Sequence, residues 1–498
     1  SSDSEFVTIG ARRHLWKVPL EKGGPSPIFE LSDLMLGGTW SPDGRSIIYS
    51  ILHQGIYEVS AGGGAAKMLI PVDRSAGGDH FDTPYLLPAR RTGRTLLYAS
   101  QTSGAMHDIV LHSLESGRRS VLAENALNAV YSASGHVLYG QLTDGQEVIM
   151  ALPFSVATMK PTGDAFRVAR NSLLPSVSRD GTLVYPTAEG WPRIQLTWHD
   201  RRGHKIAAVG PLEAIENISS LSPDGRSVAF TAFQSMRRVI WVLDVIRGTK
   251  ARLTFSPKAE ANPVWSPTGK EIAFCSNRQK FWDIYTSPAD GSGEAKVLVS
   301  GPLVKILDDW SPDGRFLVYE MEDAKTGHDL WYLKKRQDGS GYESAAFLRT
   351  PAQEGQARFS PDARYLAYAS NESGRSEVYV RRFPDGSGKQ QISVNGGSLP
   401  SWRKDKKELF YLDSETLVSV SISTKPVLSI GEMRRLFTDP GLSGTRLSSY
   451  FSSDAMYSAS ADGQRFLLPE ISGPVPPRVI QVVENWFAEF RDRPKGDR

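Results

Sequence analysis

The stretch Trp310-Ser311-Pro312-Asp313-Gly314-Arg315-Phe316-Leu317-Val318-Tyr319 decides the fold. Its first half is a turn. Ser, Pro, Asp and Gly in that order are the favoured residues of a type I turn. Pro fixes φ, Ser and Asp bond the neighbouring backbone, and Gly accepts the left-handed conformation. The second half is a short, continuous apolar run. Bounded by a turn signal, such a run suits a strand buried on both faces.

The same unit recurs along the chain. Ser41-Pro42-Asp43-Gly44 and Ser222-Pro223-Asp224-Gly225 repeat it, and Ser266-Pro267-Thr268-Gly269, Ser360-Pro361-Asp362-Ala363, Ser178-Arg179-Asp180-Gly181 and Ser460-Ala461-Asp462-Gly463 vary it. More degenerate copies centre on residues 92, 134 and 405, and the opening Ser1-Ser2-Asp3-Ser4 fits the same slot. The third position falls at 3, 43, 92, 134, 180, 224, 268, 313, 362, 405 and 462, with gaps between 40 and 57 residues. Apolar triplets follow the turns, as in Ile47-Ile48-Tyr49, Val228-Ala229-Phe230 and Leu366-Ala367-Tyr368. A β-branched and aromatic third segment, a Gly-rich turn and a fourth segment complete each unit. A repeat of this length with four strands is a β-propeller blade.

The fold expected is therefore all-β, a propeller of four-stranded antiparallel blades in about eleven repeat units. That exceeds the roughly four to eight blades of a single ring. Two six-bladed rings account for it if the first blade, which starts at its turn and lacks its first strand, follows one more unit upstream. One larger ring is the alternative. The boundary is placed at Gly210-Pro211-Leu212, giving an N-terminal propeller over 1–211 and a C-terminal one over 212–498. The segment 480–490 reads either as a helix or, over 479–483, as a closing strand.

Trp-Ser-Pro-Asp-Gly followed by an apolar triplet and an aromatic resembles the repeat of TolB-like propellers over almost the whole chain. A narrower match runs through Asn371-Glu372-Ser373-Gly374-Arg375-Ser376-Glu377-Val378-Tyr379-Val380, Trp402-Arg403-Lys404-Asp405 and Asp462-Gly463-Gln464-Arg465-Phe466-Leu467. It is similar to the C-terminal propeller region of bacterial serine/threonine kinases, especially acidobacterial ones. That resemblance implies an extracytoplasmic, periplasmic sensor or scaffold, tethered through a membrane span upstream. The kinase signatures themselves, a Gly-rich loop with Val-Ala-Ile-Lys, His-Arg-Asp and Asp-Phe-Gly, do not occur in these 498 residues.

Composition narrows the function. Lys and Arg number 58 against 55 Asp and Glu, a net charge of +3, without the concentrated basic field of a nucleic-acid binder. One cysteine, Cys275, leaves no intrachain disulfide and no cysteine-rich zinc site. No apolar run reaches the ~18 residues of a membrane span, and Ser1-Ser2-Asp3-Ser4-Glu5 does not read as a signal peptide. Gly-x-Ser-x-Gly, His-Glu-x-x-His and Gly-x-x-x-x-Gly-Lys-Ser/Thr are all missing. The nine histidines are scattered; His199 and His204 flank Asp200-Arg201-Arg202-Gly203 and read as a solvated turn. The Asp-Gly turns supply one carboxylate each, which suits turn stabilisation better than calcium. The expectation is a noncatalytic chain with no cofactor and no metal.

A ligand site is expected where inner strands meet the mouth of the central channel. The first strand of each blade precedes the turn, and reading back from the turns gives Asp79, His80, Asp82, Asn217, Asn262, Asp308, Asp309, Gln356 and Arg358. The adjacent pair Asp308-Asp309 stands out, because two close carboxylates bind a cation or an amine, or raise one another's pKa. Replacing both by Ala is expected to abolish channel binding without moving the melting curve. The partner expected is a protein, peptide or glycan. A free periplasmic TolB-like scaffold and a metal-dependent polysaccharide lyase are the alternatives.

Overall fold

The computed structural model describes residues 6–490 apart from 12–13, 20–22, 32–34, 52–53, 73–80, 89–93, 101–106, 144–145, 189–192, 214, 235–236, 280, 324–325, 425–426, 440–441, 443–456 and 474–477. The architecture is all-β, with a 3-10 helix at Trp486–Phe490. The chain divides into two compact units, Ser1–Trp191 with Pro476–Arg498, and Pro192–Val475.

The Ser-Pro-Asp-Gly turn does what its residues dictate. Ser311 Oγ donates to Asp313 Oδ1 at 2.6 Å and accepts from the Phe316 amide at 2.9 Å. The Gly314 amide reaches Ser311 O at 2.9 Å, and Gly314 sits at φ 72°. Ser41 and Asp43, Ser222 and Asp224, and Ser460 and Asp462 repeat the hydroxyl-to-carboxylate bond, each at 2.6 Å. Every described turn of the series joins the first strand of a sheet to its second. Most of those second strands are buried on both faces, as in Tyr365–Ser370, while Leu183–Ala188 is half-buried.

Among the described residues, the 192–475 unit contains six four-stranded antiparallel sheets. Five are sequential meanders with inner strands Ile215–Leu221, Glu260–Trp265, Lys305–Trp310, Glu354–Phe359 and Ser398–Trp402. The sixth is composite. Its inner strands Ser458–Ala459 and Arg465–Ile471 come from the end of the unit, and its outer strands Ile194–Asp200 and Lys205–Glu213 from the beginning. Ile194 pairs with Ile471 and Asp200 with Arg465, so the unit closes on itself as a propeller ring. This explains why the compact units part between Trp191 and Pro192 rather than near Gly210. The strands ahead of Gly210 are the outer half of the last sheet of this ring.

Apolar side chains fill the spaces between sheets. Val318, Phe359, Tyr368 and Phe383 form one such core, and Leu409, Val378, Val380 and Val420 another. The tryptophans before the turns tie neighbouring sheets together. Trp265 Nε1 donates to Ser220 O at 3.2 Å and Trp402 Nε1 to Arg358 O at 3.1 Å. Cys275 is fully buried and its Sγ accepts from the Leu307 amide of the next sheet at 3.1 Å.

The other unit has five sheets among the described residues. Phe6–Ala11, His14–Pro19 and Ser26–Glu30 make a three-stranded sheet. Residues 35–71, 81–123 and 126–170 supply larger meanders. The fifth combines Ser176–Val177 and Leu183–Ala188 with the C-terminal strand Arg478–Val483. The segment 480–490 is thus strand first and 3-10 helix after it. Trp486 is buried there, its Nε1 donating to Ser132 Oγ at 3.2 Å.

Candidate functional site

The inner strands of the 192–475 ring are not regular. Their registers shift between Ile215 and Asn217, Ala261 and Val264, Leu307 and Asp309, Gly355 and Arg358, and Ser398 and Ser401. These are β-bulges, which re-aim the side chains beside them. Asn262, Gln356 and Leu399 take φ of 53°, 59° and 51° at the bulges. The polar positions read from the sequence fall on or beside these irregular points.

The bulges draw four of the nine candidate residues together on adjacent strands. Asp308 Oδ2 accepts from the Ala357 amide at 3.0 Å, and Asp309 Oδ2 from the Phe359 amide at 2.8 Å. Arg358 Nη1 donates back to Asp308 O at 2.8 Å and to Ala357 O at 2.9 Å. Gln356 Oε1 accepts from the Leu399 amide at 2.7 Å, while its own amide donates to Glu320 Oε1 at 2.9 Å. A Cβ on Gly355 would fall against the Glu320 carboxylate, so glycine permits this approach. Glu320 Oε2 meets His328 Nδ1 at 2.9 Å.

Asp308 is 2% exposed, which corrects its placing as an open mouth residue. Its Oδ1 has no hydrogen-bond partner and lies 3.9 Å from Arg358 Nη1. Burial, reinforced by the Glu320 charge, raises its pKa well above the carboxylate range. Burial pushes Asp309 up to about 6, against the pull of the Arg358 guanidinium. Both carboxylates hold the backbone of the neighbouring sheet. Their joint replacement by Ala therefore disturbs the scaffold itself, contrary to the expectation of an unmoved melting curve.

The remaining candidates lie apart. Asn262 is buried on its own inner strand. Asn217 lies in the strand Ile215–Leu221, paired with Thr231, with its side chain outside the described residues. Asp79 and His80 also lie outside the described residues. Asp82 belongs to the other unit, where its Oδ2 is 3.1 Å from His107 Nε2.

A pocket of about 440 Å³ opens at the turn end of the inner strands. Ser220, Asp309, Arg358, Trp402 and Ser458 line it from five different sheets, which puts it on the axis of the ring. Lys404, Lys406 and Tyr457 complete the rim. Lys406 Nζ is held by Asp362 Oδ2 at 3.1 Å, and Tyr457 donates to Leu399 O at 2.9 Å. The lining thus combines three basic side chains and one carboxyl with aromatic, proline and serine groups. Trp402, Lys404 and Tyr457 were not read as site residues. Trp402 ends an inner strand and belongs to a repeating series that packs between sheets, Lys404 sits in a charged turn that suits solvent, and Tyr457 follows a segment without repeat signal.

The turn at 200–203 also departs from its reading. His204 is exposed, but His199 is 1% exposed. It lies inside the closing sheet, with Nε2 2.8 Å from Glu470 Oε1.

Residues 165–341 match the family model of the TolB beta propeller domain. Among curated proteins, the chain is 25% identical over 207 residues to the uncharacterized peptidase YuxL of Bacillus subtilis, across 34% of this chain and 31% of that protein. It is 30% identical over 172 residues to the uncharacterized protein Atu1656 of Agrobacterium fabrum, across 34% of this chain and 56% of the relative. The matches span a third and just over half of these relatives. A solved structure assigned as a TolB of Agrobacterium tumefaciens superposes with a TM-score of 0.45 at 17% identity, covering 57% of this chain and all of that one. Residues 165–341 are thus similar to the TolB beta propeller domain, and the all-β architecture of four-stranded antiparallel sheets is that of a β-propeller.

Proposed function

We propose that the chain is a noncatalytic binding module whose 192–475 ring captures an extended acidic peptide segment of a partner protein. The axial pocket carries this reading, because residues from five sheets line it and bring Arg358 and Lys404 beside Trp402, with the buried Tyr457 in its wall. Carboxylates of the peptide meet the two cations, and its backbone lies along the aromatic and proline walls. Charge-assisted contacts of this kind are the stronger hydrogen bonds of an interface. The family match supports a protein-binding scaffold. The sequence resemblance to receptor-kinase propellers supports an extracytoplasmic, periplasmic role as the sensor or scaffold region of a bacterial receptor.

The test is fluorescence anisotropy of a labelled Asp/Glu-rich decapeptide titrated with the full chain, beside its Lys-substituted counterpart. The acidic peptide binds and the basic one does not. Lys404→Glu lowers affinity by about tenfold, the equivalent of ~1.4 kcal/mol, with an unchanged melting midpoint. Equal binding of the two peptides, or indifference to Lys404→Glu, refutes the reading.

A further inference from the structure

The closing sheet of the 192–475 ring brings three metal-ligating side chains together. His199 lies on the strand Ile194–Asp200 and Glu470 on Arg465–Ile471, while Asp439 directly follows Ser429–Thr438. One ligand atom from each lies within 4.8 Å of the other two. His199 is 1% exposed, and Phe437 stacks on it with centroids 6.2 Å apart.

The hydrogen-bond arithmetic of His199 leaves a place for a proton or a metal ion between it and Glu470. Its Nδ1 is 3.1 Å from Gly203 O, which only accepts, so Nδ1 carries a hydrogen. A neutral ring then has its lone pair on Nε2. Yet Nε2 points at the Glu470 carboxylate, 2.8 Å from Oε1. Two acceptors do not face each other at that distance unless a proton, on the ring or on the carboxyl, or a metal ion lies between them. The other oxygen of Glu470 is 2.7 Å from Lys205 Nζ and 3.3 Å from Thr197 Oγ1. Lys205 is 68% exposed and anchored only at its tip, so its ammonium can leave without repacking. A ring N–H fixed on a backbone carbonyl, with the opposite nitrogen aimed at carboxylates, is the usual outer support of a metal-ligating histidine.

We infer that His199, Asp439 and Glu470 form a site for a divalent transition-metal cation of the zinc class, with the Lys205 ammonium standing in when metal is absent. One imidazole and two carboxylates suit such an ion. Three protein ligands leave a fourth position for water. The ion ties both ends of the ring to the segment after its fifth sheet, so its role is to lock the closure.

The full chain, stripped with EDTA, is titrated with zinc chloride by calorimetry and then melted with and without zinc. Wild type binds one more equivalent than His199→Ala or Asp439→Asn, and zinc raises its melting midpoint by ligand linkage. Asp439→Asn serves where His199→Ala fails to fold. Lys205→Met binds zinc several-fold more tightly, because the competing ammonium is gone. A purely structural ion cluster gives the opposite pattern: zinc moves no midpoint, wild type and Asp439→Asn titrate alike, and Lys205→Met gains nothing. Any of these results overturns the site.

Discussion

Ala363 holds a corner that glycine holds in neighbouring turns. Its φ is 55°, against 72° for Gly314, and its amide makes the same bond to Ser360 O at 2.8 Å. The left-handed region crowds a Cβ by roughly 1–2 kcal/mol, while glycine adds up to about 1 kcal/mol of unfolded-state entropy. Ala363→Gly is therefore expected to stabilise the chain by up to about 1 kcal/mol, read from the denaturant midpoint. Lys406, at φ 65°, occupies the equivalent corner of the next turn. Both turns were legible despite lacking glycine, because the Asp carries the pattern. Asp405 Oδ1 accepts from the Lys407 amide at 3.0 Å, as Asp313 Oδ1 does from Arg315. His199 was not legible. Its partner Glu470 is 271 residues away, and local sequence shows only the exposed half of that turn.

The inner strand explains what an aspartate pair is for. The Asp309 carboxylate is an acceptor for the Phe359 amide before it is a charge. Asp309→Asn keeps an acceptor and removes the buried charge, so its melting midpoint at pH 7 equals or exceeds wild type. Asp309→Ala leaves that amide without its partner and costs about 1–3 kcal/mol. The pH dependence follows from the direction of the shift. The folded pKa, about 6, lies above the unfolded value, so the stabilising share is complete below pH ~3.9 and is lost as pH rises through 6. Asp309→Asn flattens that part of the stability profile, and an unchanged slope between pH 4 and 7 would sink the assignment. Strand order within the sequential sheets was readable because a turn recurs between first and second strands; the composite closing sheet was not. Nor were the bulges. An extra residue at Asn262 or Gln356 breaks the two-residue alternation from which an inward face is inferred, and only the Asn hints at a left-handed backbone.

At the scale of the molecule, the closing sheet sets where the chain can be cut. A fragment 192–475 keeps Ile194–Asp200 paired with Arg465–Ile471 and the core of Leu196, Trp198, Val209 and Leu467. It is expected to be monomeric and to melt in one cooperative transition. A fragment 212–475 loses the outer half of that sheet, bares the edge of Arg465–Ile471, and is expected to aggregate on size-exclusion chromatography. Comparable melting of both fragments would remove the seam's importance. The other unit has its own long-range closure. Leu183 pairs with Val483, so a complete ring is inserted between two neighbouring strands of one sheet. The ribosome imposes an order on that arrangement. At roughly 5–20 residues per second, the chain between these partners takes about 15–60 s to emerge. Throughout that interval the strand Leu183–Ala188 waits with a bare edge, and the inserted ring receives its last strand, Arg465–Ile471, just before Arg478–Val483 emerges. Synthesis therefore finishes the inserted ring before the unit that surrounds it in sequence.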